Sequence, residues 1–273
     1  MILIVASNKD IASLNIKNQI LSHYDFQKTQ TFQSNPVYEA RIDDKNVELI
    51  TLNHESVYAQ DLPDSFTSLE LIIFISRHSS LSGTPTLSVH TPGNFAEAEL
   101  GGIPRRVSIS PAHAMREALK TMLRLKEEKN LNYEVSYECT HHGPSLDVPT
   151  MFAELGSSPE QWSDLRAAEA VARAAIETVQ RFSIATAKAA LGIGGTHYNA
   201  RFTRMALENE LAFGHMIPKY AVSRVDSAML RQCMERTMEK VETVILDWKG
   251  IRGEDKLPLV NMLTEMGIRF EKR

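Results

Sequence analysis

Only two cysteines, Cys139 and Cys233, occur in 273 residues, too far apart to outline a disulfide framework. That scarcity fits a reducing compartment. No apolar run approaches the roughly 18 residues that a membrane-spanning helix needs. The opening Met1–Ser7 stretch is apolar but short and lacks the charged leader of a secretory signal, so the chain is expected to stay in the cytoplasm. Neither Cys-x-x-Cys nor His-Glu-x-x-His occurs, no Gly-Lys-Ser/Thr marks a phosphate loop, and no Gly-x-Gly-x-x-Gly marks a dinucleotide fold. Gly-x-Ser-x-Gly is also missing, which weakens a serine-nucleophile reading built on Ser82 and Ser88 beside His78 and His90. Charge of one sign is not in excess: 30 Lys and Arg against 34 Asp and Glu leave a net −4. That balance excludes a protein coated with nucleic acid all round, but not one with a single basic face.

The hydrophobic fraction of 43% and charged fraction of 23% are those of a globular chain. No repeat, low-complexity tract or linker divides it, so a single α/β domain over residues 1–273 is expected, with room for a small lobe formed by insertions. Ile2–Ala6 reads as a strand, followed by a helix capped by Asn8 or Asp10. Val37–Ile42 and Val47–Leu52 flank a turn and predict a hairpin. Leu69–Ile75 is apolar almost throughout, as a strand covered on both faces should be. Ser76 to about Gly102 reads as one long loop, well beyond the about 12–15 residues usual for a structureless connection. Short strands are expected at Arg106–Ile109, Tyr133–Cys139, Leu211–Phe213 and Val241–Leu246. Helices are expected from Pro111 to Glu128, Ser158 to about Ala190, Ala200–Asn209, Ser227–Lys240 and Lys256–Met266. The pattern predicts an α/β fold, doubly wound, with a mostly parallel sheet and an antiparallel hairpin at its edge.

Nine histidines are present, and most follow predicted strands, where open α/β sheets bind their ligands. Each of His78, His90, His141, His142, His197 and His215 sits among Gly, Pro, Ser or Thr, which permit sharp turns and close backbone approach. Imidazole is a common zinc ligand, and Glu138, Asp147 or Glu97 offers a carboxylate to complete a site. His23, His54 and His113 read as surface or capping residues without a role. Adjacent residues on extended backbone point to opposite faces, so His141 and His142 can share an ion only across a bend, which Gly143-Pro144 would supply. Gly192–Gly195 is either a plain helix-ending turn or a backbone cradle for an anion. Arg105 and Arg106 directly follow the histidine loop, and Arg201 and Arg204, helical neighbours just beyond the glycine turn, favour a polyanion better than Lys120, Arg124 and Lys126, whose charge Glu117, Glu127 and Glu128 dilute.

Three segments together carry a family resemblance. Arg77-His78-Ser79-Ser80 through His90-Thr91-Pro92-Gly93-Asn94, Glu138 through Pro144, and Gly194-Gly195-Thr196-His197-Tyr198 resemble, in that order, the archaeal-type D-aminoacyl-tRNA deacylases, a family shared with plants. The resemblance runs from the first strand to the last helix. It implies hydrolysis of the ester between a D-amino acid and the 3′-terminal ribose of tRNA, a zinc cofactor, and a core similar to peptidyl-tRNA hydrolase. On this reading the expected zinc ligands are His90, His141 and His197. Glu138, His142 and His78 are the expected catalytic groups, and Gly93, Gly194, Gly195, Arg201 and Arg204 the expected substrate contacts. The expected partner is a tRNA carrying a D-amino acid, with no membrane, and the chain is expected to be a monomer. The competing classes are a zinc peptidase or amidohydrolase of small substrates, and a non-catalytic RNA-binding α/β module.

Overall fold

Ile2 to Ser7 has no exposed residue, so it must lie between strands and beneath helices on both faces. In the computed structural model, which describes all 273 residues, it is β1 of an eight-stranded sheet. The strands are β1 (Ile2–Ser7), β2 (Gln27–Phe32), β3 (Asn35–Ile42), β4 (Lys45–Leu52), β5 (Leu71–Arg77) and β6 (Thr86–His90). They continue with β7 (Glu134–Tyr137), β8 (Thr150–Gly156), β9 (Lys188–Ile193), β10 (Leu211–Ile217), β11 (Val241–Leu246) and β12 (Phe270–Lys272). The helices are α1 (Ile11–His23), α2 (Ala112–Glu128), α3 (Pro159–Trp162), α4 (Leu165–Arg181), α5 (Ala200–Glu208), α6 (Ser227–Glu235) and α7 (Gly253–Glu265). The first sheet has the order β2-β3-β4-β1-β5-β8-β6-β7, and a second, four-stranded sheet the order β10-β9-β11-β12.

The expected α/β class, mostly parallel pairing and edge hairpin are present. β4, β1, β5 and β8 run parallel, while β2, β3 and β4 make the antiparallel edge. Direction reverses once more inside the sheet, because β6 is antiparallel to β8 and parallel to β7. The second sheet is parallel throughout. Asp10 is the cap of α1: one carboxylate oxygen accepts from Ser13 N, and the other accepts from Arg77 N, tying the cap to the end of β5. One apolar core runs from Ile4, Ile16 and Leu119 to Ala190, Phe213 and Ile245, so it joins both sheets beneath α1, α2 and α4. No helix is long and apolar enough to cross a membrane.

Several elements differ from the sequence reading, and the strand expected at Arg106–Ile109 is reduced to isolated bridges at Val107 and Ile109. The expected Ser76–Gly102 loop contains β6, and β8 lies in a stretch for which no element was expected. The helix expected to reach Ala190 ends at Arg181, and β9 follows. The cause is the same for both missed central strands. Lys188-Ala-Ala-Leu-Gly-Ile and Thr-Met-Phe-Ala-Glu-Leu-Gly are rich in helix formers, but each is buried between two parallel or mixed neighbours, and packing overrides propensity. The edge strands β2, mostly exposed, and β12, half-buried and three residues long, are mostly polar and carry no apolar alternation to read.

Candidate active site

Where β7 ends, the chain leaves the first sheet and stitches the two sheets together. Cys139 N donates to His197 O at 2.9 Å, Thr140 N donates to Met216 O at 2.9 Å, and Asn199 N donates to Tyr137 O at 3.0 Å. Glu138 is thereby fixed at the seam, completely buried. A buried carboxylate must be paired to remain charged. His78 Nδ1 lies 3.0 Å from its Oε1, and His197 Nε2 lies 2.7 Å from its Oε2. A second buried carboxylate, Glu154 of β8, accepts from Ser76 Oγ at 2.7 Å and faces His78 Nδ1 at 3.3 Å and His90 Nε2 at 3.7 Å. Burial alone would raise both carboxyl groups. The facing imidazoles outweigh it and hold both below the ordinary carboxylate range. Conversely, burial alone would lower His78, but the two carboxylates push it well up, and Cys139 and Glu138 raise His197 in the same way. His78 Nε2 also meets the Tyr198 hydroxyl at 2.6 Å.

In the other half of the cluster, His141 and His142 are held neutral. His141 Nδ1 donates to Cys139 O at 2.8 Å, and His142 Nδ1 donates to Gly143 O at 2.7 Å. Each bond fixes the tautomer and leaves Nε2 with a free lone pair, the arrangement usual for metal-ligating histidines. Burial, reinforced by neighbouring imidazoles, lowers both groups, His142 to about 4. The needed bend lies at His142 itself, whose φ is +41°, one residue before the expected Gly143. It brings the His141 and His142 rings to a centroid distance of 4.3 Å. His90, the last residue of β6, stacks on Phe152 with ring centroids 5.0 Å apart. It stands 4.3 Å from His141 and 4.9 Å from His142. His90 is fully buried, yet neither ring nitrogen has a hydrogen-bond partner.

His78, His90, Glu138, His141, His142 and His197 therefore converge, as the sequence led one to expect, but in a different partition. Ligand atoms of His90, His141 and His142 lie within 4.8 Å of one another, and so do those of His78, Glu138 and His197. His90 and His197 share no such group, because Glu138 holds His197 on the other side of His141. The expected ligand set His90, His141, His197 is thus split between two groupings that share His141. Cys139 joins His141 and His197 in a third grouping, and Glu154 joins His90 and Glu138 in a fourth.

Gly93 and Gly195 line clefts beside the cluster, but the amides of the three expected glycines are already bonded. Gly93 N already donates to His142 O at 2.7 Å, Gly194 N to Ile217 O at 2.8 Å, and Gly195 N to Gly250 O at 2.9 Å. Gly93 is needed instead for packing, since a Cβ there would lie 2.6 Å from Val107 Cα. Arg201 and Arg204 line a cleft of about 340 Å³ with Gly195, Tyr198 and Lys219, and Arg201 Nε pairs with Asp247 at 2.8 Å. Four of the five other basic residues are paired: Arg105 with Asp226, Arg106 with Asp147, Lys120 with Glu117, and Arg124 with Glu128 and Glu177. Asp147, bound to Arg106 and Arg236 at the surface, is no part of the cluster. His23 lies at the surface, His54 bonds the neighbouring Glu55 O, and His113 bonds Ala187 O. Sequence reasoning missed Glu154, Tyr198 and Tyr220. Only a period-two reading of residues 150–156 would have placed Glu154 on the face of Phe152 and Thr150.

Comparison with known proteins decides the family. The D-aminoacyl-tRNA deacylase family model matches residues 65–271. The chain belongs to the D-aminoacyl-tRNA deacylase family. It is 38% identical to the D-aminoacyl-tRNA deacylase of Thermococcus kodakarensis, with 99% of each chain covered. It is 38% identical to that of Pyrococcus abyssi over the full length of both. The Methanosarcina mazei deacylase is 36% identical, with 99% of this chain and 92% of that one covered. A crystal structure described as a conserved protein of unknown function superposes with a TM-score of 0.89 at 29% identity, covering 100% of this chain and 95% of the other. All three motif segments that carried the resemblance fall inside the matched family region, and all three supply residues to the buried cluster.

Proposed function

We propose that this protein hydrolyses the ester that joins a D-amino acid to the 3′-terminal ribose of tRNA, with zinc held by His90, His141 and His142. One observation carries the metal part. His90 buries two polar nitrogens with no partner, beside two imidazoles whose Nδ1–H groups are committed to backbone carbonyls. Leaving such groups unpaired costs about 1–3 kcal/mol each, a cost that a shared cation removes. Three imidazoles are the kind of donor set that holds a catalytic zinc, and zinc bound there would supply a Lewis acid and lower the pKa of a water to ~7.

The chain's own groups do the rest. Glu138, ionised and clamped between two imidazoles, keeps His78 and His197 protonated and orients their rings. His78 then holds a proton at Nε2 toward the Tyr198 hydroxyl, so that Tyr198 can donate its own proton to the leaving 3′ oxygen. His78 thus acts as an acid through Tyr198 rather than as a base. Glu154 anchors the other edge of His78 and faces His90, so both halves of the cluster share one rigid strand. Arg201 and Arg204 provide the approach for the phosphate backbone. The test is the release of D-amino acid from charged tRNA by protein stripped of metal and then reloaded. Activity that vanishes with chelation and returns with zinc is the expected result. Full activity in the stripped protein would exclude the zinc reading.

A further inference from the structure

A cleft of about 310 Å³ is lined by His78, His141, His142, Glu154 and His197 themselves, and two further clefts adjoin the cluster with linings that differ in charge. The first, of about 340 Å³, is walled by Thr196, Tyr198, Arg201, Arg204 and Lys219. Arg201 is held by Asp247, whereas the exposed Arg204 and Lys219 have no carboxylate within ion-pair distance. This side belongs to the more basic part of the chain, since residues 188–273 hold 14 Lys and Arg against 11 Asp and Glu, while residues 1–187 hold 16 against 23. The second cleft, of about 260 Å³, opens directly against His141 and His142. Its walls are Phe95, Leu100, Tyr220 and Ala221, with Glu97 and Glu99 exposed on one side and Arg224 on the other. The segment that carries the glutamates is held in place: Asn94 N donates to Arg106 O at 3.0 Å, Arg105 N donates to Ala96 O at 2.8 Å, and Gly143 N donates to Leu100 O at 2.9 Å. The two clefts meet at the cluster, the first through the 2.6 Å contact of Tyr198 with His78, and the second through His141 and His142.

An aminoacyl ester of a nucleic acid is itself polar end to end. Its nucleotide half carries phosphates, its acyl half carries an α-ammonium and a side chain, and the scissile bond lies between them. We propose that the substrate lies across both clefts, with the terminal phosphodiester against Arg204 and Lys219 and the aminoacyl group in the Phe95–Leu100–Tyr220 cleft. Its ammonium faces Glu97 and Glu99. Arg224 offsets one of those charges, so the wall away from His141 and His142 keeps a net negative charge that favours the ammonium. The reverse orientation would set phosphates against two carboxylates and the ammonium against two unpaired cations. In the proposed orientation the leaving 3′ oxygen falls on the Tyr198 side, and the acyl carbon on the side of His141 and His142. This assignment rests on the deacylase reading above and names the subsites within it.

The test compares tRNA charged with D-phenylalanine, with its α-amine free, to the same ester N-acetylated, which has no positive charge. For the Glu97→Gln/Glu99→Gln protein, KM for the free-amine ester should rise about tenfold while the N-acetyl ester changes less than about twofold. For Arg204→Ala/Lys219→Ala, KM should rise by the same factor for both esters, with a shallower salt dependence. All four positions are exposed, so the thermal midpoint should not move, and Glu97→Lys provides a stronger version of the first arm. If the glutamine variant affects both esters alike or neither, or if the arginine–lysine variant discriminates between them, the orientation is wrong. A wild-type protein that hydrolyses neither ester would overturn the deacylase reading together with this one.

Discussion

His90 and His215 are both completely buried on strands, yet their surroundings are opposite. Around His215 every polar atom is answered. Met216 N donates to Thr140 Oγ1 at 3.1 Å, Thr140 Oγ1 meets His215 Nδ1 at 3.1 Å, and His215 Nε2 reaches Ser108 O and Arg236 O, each at 3.2 Å. This neutral ring pins the second sheet to the segments at Ser108 and Thr140. Around His90 no ring nitrogen is answered, and three aromatic or imidazole rings close in within 5.0 Å. Burial therefore does not tell these two histidines apart; the partner set does.

Substitution should separate the two regions most widely. His90→Ala and His142→Ala are expected to lose ~10²-fold or more in kcat with only a modest change in thermal midpoint, while His215→Ala loses stability first and activity only with it. Parallel measurement of deacylation rate and unfolding on the three proteins checks this. If His90→Ala proves stable and nearly fully active, the two histidines are the same kind of residue after all. On the charged side of the cluster, Tyr198→Phe removes the proton donor and keeps the ring. Its kcat should fall about 10- to 100-fold with KM little changed, and an equal fall in kcat and rise in KM would assign Tyr198 to binding instead.

pH sharpens the comparison from the stability side. Burial lowers His215 to about 4 from the ordinary 6.5, although the Arg236 and Ser108 carbonyls work against the shift. Between those two values the unfolded chain binds one more proton than the folded one. The stability tied to neutral His215 is thus complete above the unfolded value and is lost as pH falls toward the folded one, by up to about 3 kcal/mol. Urea midpoints across that window should fall less steeply for His215→Gln than for the wild type, compared in metal-free protein because His141 and His142 are lowered in the same sense. Identical slopes would mean that His215 does not change protonation on unfolding. The smallest effect belongs to the surface: Arg204→Ala should raise KM several-fold and leave kcat alone, as read from initial rates at two salt concentrations.

Much of this arrangement was legible beforehand, for physical reasons. The apolar runs of β1 and β5 and the hairpin β3–β4 follow from periodicity, and the histidine segments stand out because Gly, Pro and Thr mark turns after strands. The partition of the ligands was not legible. Whether His142 or His197 stands beside His90 depends on a positive φ at His142 and on Glu138 capturing His197, neither of which leaves a trace in residue spacing. Glu154 stayed hidden because its strand is composed of helix formers, and the glycines misled because their amides are consumed by the seam between the sheets.

The most direct test of the account is the zinc content of the purified chain after exhaustive dialysis, measured for wild type, His90→Ala and His215→Gln. The account predicts zinc retained stoichiometrically by wild type and His215→Gln and largely lost from His90→Ala. Equal zinc in all three, or none in the wild type after zinc has been offered, would contradict it.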